Sequence, residues 1–298
     1  MIRARLRNRW HQALAWLLLV LVVATCVYGF VIEPGRLVQR RYDLALPHWP
    51  AACDGLRVDV VADVHTGSPR NGLDKLDRVV ERLLASDADV VLMAGDYVIL
   101  SVLAGTYVPP EVIAERLRPL TARKQVFAVL GNHDWWKNGP KVSRAFSAAR
   151  VRMIDNLAVP VTAGGCEFWL AGLGDLLEGK PDVAGTYARI PPAAAVVALT
   201  HEPALLLRIP ARTALTVAGH THGGQLNPLW RWLPRQTFKP RSHWLRGEIR
   251  DAGKVLFVSP GIGTSILPMR LGVPPEISQL RLRAQAVDRK LANAAMEP

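Results

Sequence analysis

Short polar clusters follow several apolar runs of this 298-residue chain, and their side chains are of the types that bind metal ions. Asp63 and His65 are two residues apart, so on an extended chain both project to the same side, where a carboxylate and an imidazole can bind one cation. The clusters are Asp63-Val64-His65, Gly95-Asp96, Gly131-Asn132-His133-Asp134, Thr200-His201-Glu202-Pro203 and Gly219-His220-Thr221-His222-Gly223-Gly224. Five of the eight histidines lie in them, which predicts a shared metal site.

Alternating strand and helix patterns would bring these clusters to one edge of a sheet, where open α/β folds build their sites. Leu56–Ala62 is an apolar run typical of a buried strand, Leu73–Leu84 has helical spacing, and Ala88–Ala94 is a second strand-like run. From Ala158 onward few helical patterns separate the runs, which predicts a second, more antiparallel sheet. The other predicted helices lie near Pro110–Leu120 and Pro140–Ala149, and the other strands at Gln125–Leu130, Ala158–Thr162, Cys166–Gly172, Ala195–Thr200, Ala214–Ala218, Lys254–Ser259 and Ile277–Leu282.

The N-terminal end has the pattern of a membrane anchor. Arg3, Arg5, Arg7 and Arg9 precede an uncharged run, Ala13–Ile32, which has about the 20 residues that a bilayer-spanning helix needs. The alternative is a cleaved signal peptide, but the run exceeds the usual apolar region of about 7 to 15 residues and lacks an A-x-A site. The arginines favour a cytoplasmic N-terminus in the inner membrane and a folded domain that faces the periplasm or the cell exterior. The predicted segments are a basic cytoplasmic segment 1–12, the anchor 13–32, a juxtamembrane connector 33–53, the folded domain 54–285 and a tail 286–298.

Charge and cysteine content limit the partners. A formal net charge of +12 favours an anionic partner, but the sequence has no zinc-finger spacing, homeodomain-like helix or RNA-binding signature, so nucleic acid is not expected. Cys26 lies in the anchor, and Cys53 and Cys166 are either a disulfide or two thiols. Tryptophans and basic residues alternate over 230–250, which predicts either a surface that contacts the bilayer or a solvated loop with the tryptophans packed inward.

The ordered series Asp-x-His, Gly-Asp, Gly-Asn-His-Asp, a later single His and Gly-His-x-His resembles the calcineurin-like metallophosphoesterase superfamily. The resemblance covers most of the chain, from about Leu56 to Leu282. Gly261-Ile262-Gly263-Thr264 and Pro274-Pro275-Glu276-Ile277 look like a membrane-anchored or exported bacterial subgroup. The resemblance implies an α/β fold, a four-layer α/β/β/α sandwich of two mixed sheets, here preceded by one transmembrane helix.

The resemblance also implies a role for each clustered side chain. Such enzymes hold two divalent metal ions, and this mixture of nitrogen and oxygen donors suits Mn, Fe or Zn. Water can then attack the phosphate, so no protein nucleophile is required. His133 would stabilise the developing charge or protonate the leaving oxygen, and Asp134 would orient the His133 ring by a hydrogen bond. The implied ligands are Asp63, His65 and His222 for one ion, Asn132, His201 and His220 for the other, and Asp96 as the bridge between them.

These features predict a dinuclear metal-dependent phosphoesterase, and more narrowly a phosphodiesterase, whose substrate close to a bilayer would be lipid-linked. One alternative resembles the lipid A branch of the superfamily, a UDP-2,3-diacylglucosamine pyrophosphohydrolase, but that substrate is cytoplasmic and conflicts with the predicted topology. A second is a catalytically silent metal-binding scaffold, although no ligand is missing from the series. A third, a nucleic-acid phosphoesterase, fits the basic charge but not the anchor.

Overall fold

The computed structural model describes residues 2–226 and 244–285, and in this part of the chain two six-stranded sheets lie face to face. Apolar side chains between the sheets form the central core, and helical segments pack on both outer faces, so the predicted α/β/β/α sandwich is confirmed. The helices are α1 (Ile2–Val27), α2 (Glu33–Gly35), α3 (Leu73–Ala85), α4 (Pro110–Thr121), α5 (Asn132–Ala148) and α6 (Val183–Ala188). The strands are β1 (Val38–Leu46), β2 (Leu56–Val61), β3 (Val90–Ala94), β4 (Gln125–Val129), β5 (Arg152–Met153), β6 (Leu157–Ala163), β7 (Cys166–Gly172), β8 (Val196–Leu199), β9 (Leu215–Ala218), β10 (Gly247–Asp251), β11 (Lys254–Val258) and β12 (Glu276–Ala284).

The first sheet has the order β1-β12-β2-β3-β4-β5, and its strands β2 to β5 are parallel. Helices α3, α4 and α5 cover its outer face. In α3 the residues Leu76, Val79, Val80 and Leu83 are buried, which is the spacing of a helix that packs along one stripe. Because β2, β3 and β4 run in the same direction, the residues that follow them meet at one edge of the sheet.

The second sheet has the order β10-β11-β9-β8-β7-β6, with parallel central strands and antiparallel pairs at both edges. It contains two antiparallel pairs against one in the first sheet. The prediction that Ile277–Leu282 belongs to this second sheet is wrong, because β12 lies between β1 and β2 of the first. Leu280 and Leu282 face the central core that both sheets share, while Ile277 packs under the helices and Arg281 is exposed, so the apolar residues of β12 do not by themselves decide between the two sheets.

The segment 33–53 is more than the connector that the sequence suggested, because it contains β1. This strand pairs in parallel with β12 over its whole length and forms one edge of the first sheet. Leu44 and Leu46 are buried, whereas Arg40 and Arg41 are exposed. Charged side chains are common on edge strands because they oppose pairing with another chain, and they also hide the strand pattern from sequence analysis.

Cys53 and Cys166 form a disulfide, with their Cα atoms 4.7 Å apart. Cys53 precedes β2 of the first sheet and Cys166 begins β7 of the second, so the bond joins the two sheets directly. The disulfide alternative left open by the sequence is therefore the one that the structure contains.

The N-terminal helix is long and apolar enough to cross a membrane over the stretch Asn8–Gly35. Helix α1 begins at Ile2, so the arginines belong to the same continuous helix as the apolar run. A π-helical turn, Tyr28–Ile32, and the short helix α2 follow it, and Gly29, Glu33 and Pro34 are buried against the folded domain. The end of the anchor is therefore part of the packed structure.

Two regions of predicted interest lie outside the described residues. They are the tail 286–298 and residues 227–243, which include most of the tryptophan-rich basic stretch 230–250. Within the described remainder of that stretch, Trp244 is buried and packs with Leu206, Leu256 and Val258. For Trp244 the inward-packing alternative is the one observed.

Candidate metal centre

The predicted ligands come together where the carboxyl ends of strands from both sheets meet. Asp63 and His65 follow β2, Asp96 follows β3, and Asn132 begins α5 shortly after β4. From the facing sheet, His201 follows β8, while His220 and His222 follow β9. Six of these seven residues are at least nine-tenths buried, and His220 is partly exposed.

The first group of donors, called here the first triad, is Asp63, His65 and His222. Their ligand atoms lie within 4.8 Å of one another. His65 Nε2 is 3.2 Å from His222 Nε2, and His222 Nε2 is 3.6 Å from Asp63 Oδ1. The two imidazole rings are stacked, with centroids 4.9 Å apart. One carboxylate and two imidazoles therefore face a common point.

The second triad is Asn132, His201 and His220. Asn132 Oδ1 is 3.1 Å from both His201 Nε2 and His220 Nδ1, and these two nitrogens are 3.2 Å apart. The three atoms form a nearly equilateral triangle of one oxygen and two nitrogens. His220 thus uses its Nδ1 atom and His201 its Nε2 atom.

Asp96 lies between the two triads. Its Oδ2 atom is 3.5 Å from His65 Nε2 of the first triad and 3.3 Å from His201 Nε2 of the second. Two donors that bind one tetrahedral ion at about 2.0 to 2.1 Å are about 3.3 Å apart, so separations of this size fit the edges of a coordination shell. The residues present fit the binding of divalent metal ions, and Asp96 lies within reach of donors from both triads.

Two of the imidazoles have a fixed orientation. The second ring nitrogen of His65, Nδ1, lies 3.2 Å from the Val98 carbonyl oxygen, and His201 Nδ1 lies 2.7 Å from that of Ala94. In the neutral ring, each Nδ1–H can donate to its carbonyl, and Nε2 is then the nitrogen available as a ligand. In the ring of His222, Nδ1 is buried without a hydrogen-bond partner.

The backbone at the cluster is strained. Asp63, His65, Asp96, His220 and His222 all have positive φ, between 41° and 70°. The left-handed conformation costs a residue with a Cβ atom about 1 to 2 kcal/mol, and such residues concentrate at functional sites. Close backbone contacts add to this, because a Cβ atom on Gly131 would lie 2.2 Å from Asp96 Oδ1. Five of the seven predicted ligands are thus held in a backbone conformation that residues with a Cβ atom intrinsically disfavour.

Comparison with known proteins identifies the family of the chain. The profile of the family described as calcineurin-like phosphoesterase matches residues 56–224, which is more than half of the chain. The chain belongs to this family. It is therefore a metal-dependent phosphoester hydrolase, and the resemblance seen in the sequence is confirmed.

Several curated relatives match this chain over most of its length. The chain is 27% identical over 262 residues to the uncharacterized metallophosphoesterase YkuE of Bacillus subtilis, which covers 86% of this chain and 90% of YkuE. It is 27% identical to the phosphodiesterase YaeI of Escherichia coli, covering 93% of this chain and 98% of YaeI. A transmembrane protein with a metallophosphoesterase domain from Danio rerio is 27% identical, and the chain spans only 62% of its length.

Burial has a large effect on the protonation of the candidate ligand residues. It lowers the pKa of His65 to about 4 and that of His220 to about 3, so both imidazoles are neutral at neutral pH. It raises the pKa of Asp63 to about 7. Burial acts against the charged forms of Asp96 and His201 too, but the attraction between them lowers the pKa of Asp96 and raises that of His201. Neutral imidazoles and carboxylates are the forms that bind metal ions.

His133 lies beside the cluster, as predicted, but without the predicted support from Asp134. The His133 ring is 4.7 Å from that of His65, its Nε2 is 3.5 Å from Ser265 Oγ, and its buried Nδ1 has no hydrogen-bond partner. The Asp134 carboxylate instead accepts hydrogen bonds from four backbone N–H groups. These donors are Asp96, Tyr97, Val98 and Gly131. The expected hydrogen bond is absent because the first turn of α5 directs this side chain at the strand ends.

The loop that supports the first triad, residues 260–273, was not predicted from the sequence. The Ile262 and Gly263 N–H groups donate to the carbonyl oxygens of Ala62 and Asp63. Fully buried Arg270 donates to the carbonyl oxygens of Pro260, Gly263 and Val273. The glycine motif at 261–263 was noticed, but a lone arginine seven residues later has no signal that marks it as the centre of a loop.

Proposed function

We propose that this chain is a dinuclear phosphodiesterase whose two metal ions bind the first and second triads and share Asp96. The observation that carries the proposal is the shared carboxylate, whose Oδ2 lies within 3.5 Å of one imidazole from each triad. A single-ion site would need only one triad. The number of ions, their assignment to ligands and the preference for diesters go beyond what the family alone gives.

The donor set favours Mn, Fe or Zn. Four imidazoles, two carboxylates and one amide oxygen form a mixed nitrogen and oxygen set, whereas Mg and Ca prefer oxygen ligands alone. Two such ions supply Lewis acidity that activates water and withdraws charge from a bound phosphate. The protein's part is to hold the donors in place, which the fixed His65 and His201 rings and the strained backbone support.

His133 is the side chain best placed to act on the substrate without being needed as a ligand. Burial lowers its pKa, so it is a neutral imidazole that carries one proton at neutral pH. Its Nδ1 is buried without a hydrogen-bond partner, and one of its ring nitrogens lies within 4.8 Å of ligand atoms of His65 and Asp96. From there it can hydrogen-bond a phosphate oxygen or pass its proton to the leaving oxygen. Asp134 acts indirectly, because its carboxylate fixes the strand ends that carry Asp96 and Asn132.

We infer that α1 anchors the domain, 54–285 together with β1, to the inner membrane and that the domain lies outside the cytoplasm. The N-terminal arginines support this orientation. The Cys53–Cys166 disulfide supports it independently, since such bonds persist in oxidising compartments. A substrate in the same membrane, a lipid-linked phosphodiester, fits a catalytic domain that is packed against the end of its own anchor.

The test is an activity panel on the full chain in detergent micelles, supplemented with Mn²⁺, Fe²⁺ or Zn²⁺ in turn. The panel contains an aryl phosphodiester, an aryl phosphomonoester, a phospholipid and a nucleotide-sugar lipid. We expect faster hydrolysis of diesters than of monoesters, and two metal ions per chain by elemental analysis. One ion per chain would contradict the dinuclear site. Two ions without any hydrolysis would favour a silent scaffold instead.

A further inference from the structure

Exposed apolar side chains surround the metal centre. Large apolar residues are normally buried, and single exposed ones need no explanation, but contiguous groups mark interaction surfaces. Four of the most exposed outside the anchor are Ile266, Leu103, Leu177 and Trp136, at 76%, 66%, 57% and 46% exposure. They come from four different loops or helix ends.

Contacts between these elements place the four residues around His133. The Leu103 N–H donates to the Ile266 carbonyl oxygen, and Ser265, the neighbour of Ile266, is 3.5 Å from His133 Nε2. The Trp136 ring is 5.2 Å from the His133 ring. Trp136 Nε1–H in turn donates to Glu178, the neighbour of Leu177. We call these four side chains the apolar rim.

The loop that carries Ile266 also packs on the end of the anchor. The Arg270 N–H donates to the Gly29 carbonyl oxygen at 2.9 Å, and the Gly272 N–H donates to the Glu33 carboxylate at 2.8 Å. Lys75 joins the two segments, since its Nζ donates to the carbonyl oxygens of Pro34 and Ile262. The loop therefore connects the helical segment that follows α1 with His133 beside the metal centre.

The contact between loop 260–273 and Gly29 limits how far the apolar rim can lie from a bilayer. Gly29 lies inside the apolar run Ala13–Ile32, so its partners in loop 260–273 must lie at the membrane surface if α1 spans the bilayer. Ile266 is four residues from Arg270, which limits their Cα separation to about 14 Å. Exposed Arg36 and Arg70 lie next to the same helix end, where anionic headgroups would be found.

We propose that the apolar rim contacts the lipid bilayer in which α1 is embedded, so that the metal centre opens onto the membrane surface. This rests on the anchoring by α1 proposed above and not on the hydrolytic reaction. The rim side chains would enter the boundary between headgroups and acyl chains, as the apolar face of an interfacial element does. A substrate would then reach the metal centre from the bilayer without leaving its surface.

The test is the depth of single labels in the full chain, reconstituted in vesicles of phosphatidylethanolamine and phosphatidylglycerol. Cys26→Ser removes the free thiol, and Leu103→Cys or Ile266→Cys then receives an environment-sensitive nitrobenzoxadiazole dye. Leu207→Cys is the matched control, because Leu207 is 56% exposed. Its neighbour Leu206 bonds to Lys254 at the start of β11, which is the end of the second sheet opposite to the metal centre.

We expect the dye at positions 103 and 266 to emit at shorter wavelength than at 207, and to be quenched by a lipid with a spin label near its headgroup. The dye at position 207 should emit at the longer wavelength typical of this dye in water and should show little quenching. Equal emission and quenching at all three positions would overturn the proposal, and so would failure of the chain to float with the vesicles. Neither result depends on bound metal or on turnover, so a failed hydrolysis assay leaves this test intact.

Discussion

The two triads of the metal centre have different supports. In the second triad, His201 is bonded to the carbonyl oxygen of Ala94 at the end of β3, and the backbone N–H of His220 donates to the Asp63 carboxylate of the first triad. The first triad also depends on loop 260–273, because Gly263 bonds to the backbone of Asp63 and a Cβ atom on Gly223 would meet Val273 and Pro260. That loop is joined to the end of the anchor. One half of the site therefore depends on the sheets, and the other half depends also on the junction with the membrane helix.

We expect the largest loss of metal binding and turnover from a change at Asp96, which lies between the two triads. Asp96→Asn removes the shared carboxylate charge, and we expect loss of both ions and a fall in turnover of about 10³-fold or more, since metal-ion stabilisation is worth several kcal/mol. Elemental analysis and hydrolysis of an aryl phosphodiester measure this. Asp59→Asn, a buried carboxylate in β2 outside the cluster, is the matched control. If the Asp96 variant kept one tightly bound ion, the shared role would be wrong.

The next effect separates catalysis from metal binding. His133→Ala should leave the metal content near normal while turnover falls by about 10² to 10⁴-fold, the usual contribution of a positioned acid or base. His48→Ala, which removes an exposed histidine, is the control. His65, Asp96 and His133 have ligand atoms within 4.8 Å of one another, so a loss of metal from the His133 variant would make it a ligand.

The comparison of the triads is tested most directly through Arg270. Arg270→Lys keeps the charge but not the planar fork that bonds to three carbonyl oxygens. We expect one of the two ions to bind about 10 to 100-fold more weakly, as when outer-shell partners of a metal site are changed. The other ion should keep its affinity. The control is Arg82→Lys, because the guanidinium of Arg82 donates to the Leu37 carbonyl oxygen, which lies away from the site.

Equal weakening of both ions would mean that loop 260–273 supports the whole cluster. A two-step metal titration by calorimetry separates the cases. Repeating the titration with Asp63→Asn and Asn132→Ala identifies which step belongs to which triad.

Much of the site was predictable because strand-end motifs are local. Asp63 and Asp96 follow apolar runs, and parallel strands bring such residues to one edge. The support was not predictable, because it depends on contacts between distant segments. Arg270 has no local signal, and the direction of Asp134 is set by the turn at Gly131 rather than by its neighbour in sequence. The sheet that receives β12 was also hidden, since both sheets contribute to the same central core and a strand that presents Leu280 and Leu282 to it fits either one.

The pH dependence of metal binding should also differ between the triads. Asp63 must lose a proton to bind, and because burial raises its pKa to about 7, affinity at the first triad should rise with pH and level off above about pH 7. His201 must lose a proton as well, and its pKa is raised well above the ordinary value despite burial, because Asp96 is adjacent. Affinity at the second triad should therefore continue to rise above pH 7.

Calorimetry in buffers of different ionisation enthalpy measures the protons released by each ion. Asp63→Asn should abolish the release at the first triad. Affinity that is independent of pH at both triads would contradict the assignment.

We expect the smallest change in metal affinity from removal of the disulfide. Cys53 and Cys166 are 113 residues apart in sequence, and their bond joins the sheets near β2 and the start of β7. The double variant Cys53→Ala/Cys166→Ala should lower the free energy of unfolding by about 2 to 4 kcal/mol, because the unfolded chain regains the freedom of a long loop. The ligands follow the opposite, carboxyl ends of β2 and β8, so both metal affinities should stay unchanged below the unfolding transition. Denaturant unfolding and the same metal titration measure the two quantities. A loss of metal in the folded double variant would mean that the packing between the sheets, and not only their strand ends, holds the second triad in place.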